Sequence, residues 1–151
     1  MKKAVKNNPS DSVIVAINRI LEELPNERKT EADNLKEYVD SGGFERDCER
    51  YMEKSKIFGG ITDNLDNAEM QEIVSIMHVG RGDFSTFLDA YKWNIPHKDR
   101  REIAVRYILS KSPLKSYLKR GLEKIAQKKI GGYFAALSLA SRASLAKIAS
   151  I

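Results

Sequence analysis

The chain has 151 residues, of which 42% are hydrophobic and 31% charged, enough apolar material for one ordinary domain with a sizeable core and too much for a wholly disordered chain. A single cysteine, Cys48, excludes an internal disulfide framework, Met1-Lys2-Lys3 leads into no secretory h-region, and the uncharged stretch 130–141 is too short to cross a bilayer, so a cytoplasmic protein without a membrane span is expected. The net charge of +5 is split unevenly: residues 1–72 hold 11 Lys+Arg and 16 Asp+Glu (net −5), whereas residues 73–151 hold 15 and 5 (net +10).

Ser10 is placed to cap a first helix to about Leu24, in which Val13, Ile14, Ile17, Ile20, Leu21 and Leu24 recur at three- and four-residue spacing. Pro25-Asn26 ends it. Thr30 and Asp33 resemble a cap for a shorter helix with Leu35, Tyr38 and Val39 inward, ending at Gly42-Gly43. The next segment, Phe44 to about Ile57, puts Phe44, Cys48, Tyr51 and Met52 on one face, read as core, and Gly59-Gly60 closes it. After an Asx-rich loop, Asp66 with Glu69 reads as an N-cap for a helix carrying Met70, Ile73, Val74 and Met77, with Gly80 as its terminator and Asp83 as the next cap.

Phe84, Phe87, Leu88, Tyr91 and Trp93 suit a short aromatic helix around which the core is expected. From His97 to about Lys111 a further helix turns Ile103, Ala104, Tyr107 and Ile108 inward. Pro113, at the first helical position after a Ser112 cap, starts another, with Leu114, Tyr117, Leu118, Leu122 and Ile125 at helical spacing and Gly121 allowing close packing. The Ala/Ser-rich tail 130–151 is expected to be helical. The fold class is therefore all-α: a bundle of six to eight helices, with residues 1–129 as a single domain and 130–151 as a C-terminal helical tail.

The string Ile73-Val74-Ser75-Ile76-Met77-His78-Val79-Gly80-Arg81-Gly82-Asp83-Phe84, then Tyr107-Ile108-Leu109, Ser112-Pro113-Leu114 and Tyr117-Leu118-Lys119-Arg120-Gly121-Leu122, resembles an uncharacterised bacterial family, domain of unknown function 3775, over about residues 66–127. The resemblance implies a helical domain and carries no activity, ligand or catalytic residue. Members are acidic in the last two helices, whereas this chain has Lys115, Lys119, Arg120 and Lys124 there.

Gly80-Arg81-Gly82-Asp83 is either a functional loop around Arg81 and Asp83 or simply a helix stop followed by a cap. His78 and His97 lack the spacing of a metal site or an acid/base pair, and Cys48 has no neighbour to activate it, so no metal, cofactor or catalytic residue is expected. Between residues 98 and 129 there are eleven cationic side chains against three acidic ones. Arg100, Arg101, Lys115, Lys119, Arg120 and Lys124 are the candidate partner- or nucleic-acid-binding residues, unless this run is a solvated basic surface or one that docks on the acidic first half of the same chain.

These residues favour a non-enzymatic bacterial or phage binding or regulatory protein whose basic C-terminal half meets an acidic macromolecule, an acidic protein or nucleic acid. The alternatives are DNA or RNA binding through a helix-turn-helix-like segment 98–129, or an enzyme with a site near His78, Arg81 and Asp83. The C-terminal helix offers a possible homo-oligomer contact.

Overall fold

The computed structural model describes residues 6–26 and 34–135, with side chains through 127; the Thr30–Asp33 cap and the tail from 136 onward lie outside them. The described residues form seven α-helices, one 3-10 turn and no strand. They are α1 (Asp11–Glu23), α2 (Leu35–Asp40), α3 (Gly43–Thr62), α4 (Asn67–Arg81), α5 (Phe87–Asn94), α6 (Arg101–Leu109) and α7 (Leu114–Ala135), with the 3-10 turn Ile95–His97 between α5 and α6. This is the all-α bundle expected from the apolar periodicity.

The bundle is built on α4. Every residue from Met70 to Gly80 is buried, so the expected one-sided stripe is in fact a fully enclosed helix. α1, α5, α6 and α7 pack against it, α7 most extensively. That last contact depends on two glycines facing opposite helices. A Cβ on Gly80 would lie 1.7 Å from the Tyr117 carbonyl oxygen, and one on Gly121 would lie 2.1 Å from that of Ile76. The backbones of α4 and α7 therefore meet at a distance that no side chain permits. Gly121 does what its placement in an apolar helix suggested. Gly80 does not end α4: Gly82 does, with φ +89° and the Asp83 N–H closing onto the His78 carbonyl at 3.0 Å.

The capping box at the start of α4 is present, Asp66 accepting from the Glu69 N–H and Glu69 from the Asp66 N–H. Other caps fall elsewhere. Thr86, not Asp83, caps α5. Ser10 does not cap α1 with its side chain; its N–H and hydroxyl both donate to the buried carboxylate of Glu72, at 2.6 and 3.0 Å, and Lys6 stands 3.3 Å from the same group. The start of α1 is thereby tied to the centre of α4. The Pro113 carbonyl accepts from the Tyr117 N–H at 3.1 Å, so the proline stands one position before the first residue of α7. The helix expected from His97 begins only at Arg101, because Pro96 holds a 3-10 turn and Arg100 leaves helical geometry.

The largest departures lie in α2 and the first half of α3. Leu35, Val39, Phe44, Cys48, Tyr51 and Met52, expected inward, are exposed, Leu35 by 77% and Met52 by 70%. α3 runs through Gly59-Gly60 to Thr62 and enters the core only at Phe58, so among the described residues the apolar side chains of its first half are left uncovered. The aromatic segment is also not the centre: Phe87 is buried, but Trp93 is 66% and Ile103 59% exposed.

Candidate functional site

A helix enclosed on all sides buries any polar residue it carries, and each must find a partner or cost about 1–3 kcal/mol. α4 carries Gln71, Ser75 and His78, spaced at i, i+4 and i+7, so they share one face. They form a connected line. The Ser75 hydroxyl donates to the Gln71 carbonyl at 2.6 Å, and the Gln71 amide donates to the His97 carbonyl at 3.2 Å. The Asn94 amide nitrogen, brought in by the end of α5, donates to Ser75 Oγ and to His78 Nδ1, both at 3.1 Å.

With Nδ1 accepting, the neutral imidazole carries its proton on Nε2 and donates it to the Tyr107 hydroxyl at 2.9 Å. Burial holds His78 below the usual histidine range; Asp83 opposes that shift, and Arg81 and Lys111 add to it. Tyr107 also sits under the Lys111 ammonium, 4.3 Å from the ring centroid, and receives a long contact of 3.4 Å from Arg81. Among the described residues no buried side-chain nitrogen or oxygen is left without a partner.

On the outer side of this line lies a recess of about 230 Å³, lined by Gln71, Val74, His78 and Asn94 beneath and by Trp93, His97, Arg100, Ile103, Ala104 and Tyr107 at its walls and mouth. Trp93 leans on Phe84, which leans on His78, with ring centroids 6.3 and 5.8 Å apart. The recess thus has a hydrogen-bonded floor that cannot easily shift, and a mouth of exposed apolar and cationic groups. Both ring nitrogens of His78 are already engaged by protein groups, as is Ser75, so the arrangement presents shape and polarity to a ligand rather than a free base or nucleophile.

The residues singled out from sequence are dispersed by the fold. Arg101 donates to the carbonyls of Leu65 and Thr62, both at 2.7 Å, and so caps the end of α3. Lys124 donates to the Val79 carbonyl at 3.1 Å near the end of α4, and Lys115 reaches Asn26 at 3.0 Å. Arg100 is exposed at the recess, while Lys119 and Arg120 are exposed on α7. Arg81 pairs with Asp83 at 3.5 Å and stands over the Tyr117 ring, so Arg81 and Asp83 brace the end of α4 and neither lines the recess. α6 and α7 each pack on α4 with little direct contact, unlike a self-contained helix-turn-helix pair. Among the described residues no ion pair joins a cation of residues 98–127 to a carboxylate of the first half.

Sequence reading missed Gln71, Ser75, Asn94 and Trp93. The first two had a signal: polar residues at helical spacing, in line with His78, among the apolar residues of α4. Among the described residues no group of three or more His, Cys, Asp or Glu is placed to hold a metal, and no helix is long and apolar enough to cross a membrane.

Residues 57–126 match the family model described as a protein of unknown function (DUF3775), so this part of the chain carries a domain of unknown function 3775, as the resemblance over about residues 66–127 implied. Every residue lining the recess falls within that span. No curated protein and no solved structure matches the chain.

Proposed function

We propose that this chain is a non-enzymatic binding protein whose second half docks an acidic protein partner on the face that carries Trp93, Arg100 and Ile103. The observation that carries the reading is the exposure of Trp93 and Ile103 beside an exposed arginine, within a span whose other large apolar side chains are mostly buried. Tryptophan and arginine are the residue types in which binding energy concentrates at protein interfaces. Charge supports the same partner class: the second half is net +10 over residues 73–151, and a cationic face raises the encounter rate with an acidic surface.

The test is capture by the full chain from its native host, with and without nuclease, alongside the Arg100→Glu variant. An acidic protein retained after nuclease and lost with Arg100→Glu is the expected result. Retention that ignores Arg100→Glu, or capture that disappears with nuclease, overturns it.

A second reading rests on Lys119 and Arg120, neighbours exposed on α7: nucleic-acid binding through phosphate contacts. It requires duplex or single-strand affinity that falls steeply with salt and collapses when both residues become glutamate.

A further inference from the structure

From the recess between α4, α5 and α6 we infer the anchor by which that partner is recognised: an aromatic side chain flanked by carboxylates, its ring entering the recess and a carboxylate pairing with Arg100. This rests on the reading of the chain as a docking protein and specifies what it docks.

Volume sets the first constraint. A cavity of about 150 Å³ lined by apolar groups accepts benzene, so the recess, at about 230 Å³, takes one six-membered ring and not a folded surface. Wall chemistry sets the second. Val74, Ala104 and Ile103 supply aliphatic contact, and Trp93 supplies an aromatic face at the mouth, which together favour a flat apolar group over a polar one. The floor sets the third. Gln71, Asn94 and His78 line it and are held from behind by the buried Ser75 and by the His97 carbonyl, so a ring resting on them breaks no hydrogen bond and meets a surface already fixed.

Charge at the mouth then selects what neighbours the ring. Arg100 lines the opening and Lys98 and His97 are exposed next to it; the opposing carboxylates in this stretch are Asp99 and Glu102, which line no part of the recess. A guanidinium at a partly desolvated rim pairs best with a carboxylate, which it can hold through two parallel hydrogen bonds. A peptide with an aromatic residue between acidic ones meets all of these conditions. The broader groove of about 640 Å³ between Pro25-Asn26, α3 and the α6–α7 turn does not, since charged and polar side chains dominate its lining.

Trp93 is the chain's single tryptophan, so its fluorescence reports the recess directly. The full chain is titrated with a synthetic peptide of one phenylalanine between glutamates, and with the matched peptide carrying alanine in place of phenylalanine. The phenylalanine peptide is expected to give a saturable change in Trp93 emission, weakened about tenfold or more by the alanine peptide and again by Arg100→Glu, the size expected for losing one central contact. Ala104→Leu, which fills the recess, removes the response; because Ala104 is buried, the exposed Ile103→Ala serves as a second variant that leaves the core alone and weakens binding severalfold. Equal binding of the two peptides, no saturable response to either, or indifference to Ile103→Ala and Ala104→Leu overturns the inference. A captured host protein lost with Arg100→Glu but retained by Ala104→Leu overturns the ring-in-recess recognition while leaving the docking reading standing.

Discussion

The two halves of α3 belong to different kinds of structure. From Phe58 onward the helix is held between α1 and the core, and its end at Thr62 and Leu65 is capped by Arg101 from α6. Before Ile57 the same helix carries α2 against it, faces Pro25-Asn26 and the α6–α7 turn only across the broad polar groove, and turns Phe44, Tyr51 and Met52 to solvent. The family match begins at residue 57, where the helix passes from one environment to the other. Apolar spacing is similar on both sides of that point; what differs, among the described residues, is whether the apolar face is covered. Stability should therefore concentrate in the α4-centred body and the α2–α3 limb should tolerate change, and substitutions can be ranked on that difference.

The largest effect is expected at the α4–α7 contact. Gly80→Val puts a branched side chain where the first added carbon already lies 1.7 Å from the Tyr117 carbonyl oxygen, and no rotamer relieves a clash at Cβ. Overpacking of this kind costs about 3 kcal/mol or more when backbone must move. Loss of a cooperative thermal transition, or a drop of many degrees, is the expected melt; a wild-type melt would mean that α7 does not sit on α4 as described.

Next come two adjacent arginines that sequence reading could not separate. Arg101 makes two charged hydrogen bonds to backbone carbonyls, and Arg101→Ala should destabilise by about 2 kcal/mol. Arg100, one residue earlier and exposed, should be neutral to stability within about 0.5 kcal/mol when changed to alanine. Denaturant midpoints of the two variants measured side by side decide this, and equal shifts would refute the division of labour.

That pair illustrates what was legible. Helix number, the cap at Asp66 and the apolar faces of α1, α4 and α7 follow from spacing that depends on local geometry alone. A count of cations also follows, but not their uses: Arg101 and Lys124 end as caps on distant helices because residues 36 and 39 positions before the one and 45 before the other leave carbonyls open beside them. The recess was hidden for the same reason. His78, Asn94 and Tyr107 come from three helices, and only the packing of α5 and α6 on α4 makes them neighbours. Exposure of Leu35 and Met52 was illegible too, since amphipathic spacing states which side a helix would bury and not whether anything lies there to receive it.

A smaller effect should appear as a pH dependence. Burial disfavours the charged form of His78 and holds its pKa in the folded protein below the usual 6.5, to which it returns once unfolded. The unfolded chain then binds more protons below that value, so the histidine's contribution is complete above it and is lost as pH falls below it. His78→Gln removes the titration. Between about pH 7.5 and about pH 5 the wild-type melting temperature should fall more than that of the variant. Parallel curves would place the imidazole in water instead of against Asn94 and Tyr107.

The smallest effect is expected where sequence reading saw core. Leu35→Glu and Met52→Glu change side chains that are 77% and 70% exposed, and substitutions at such positions ordinarily shift stability by about 0.5 kcal/mol or less. An inward-facing leucine or methionine would instead lose several kcal/mol on becoming a carboxylate, because a charge cannot be buried unpaired at lower cost. The two outcomes differ by enough for a single thermal melt of each variant to separate them. A large drop at either position would show that the limb has a covering layer, so that α2 and the first half of α3 belong with the α4 body after all. Unchanged melts with raised solubility would fix the limb as a solvent-facing apolar surface, and would show that the cooperative unit of the described residues enters α3 only near Phe58.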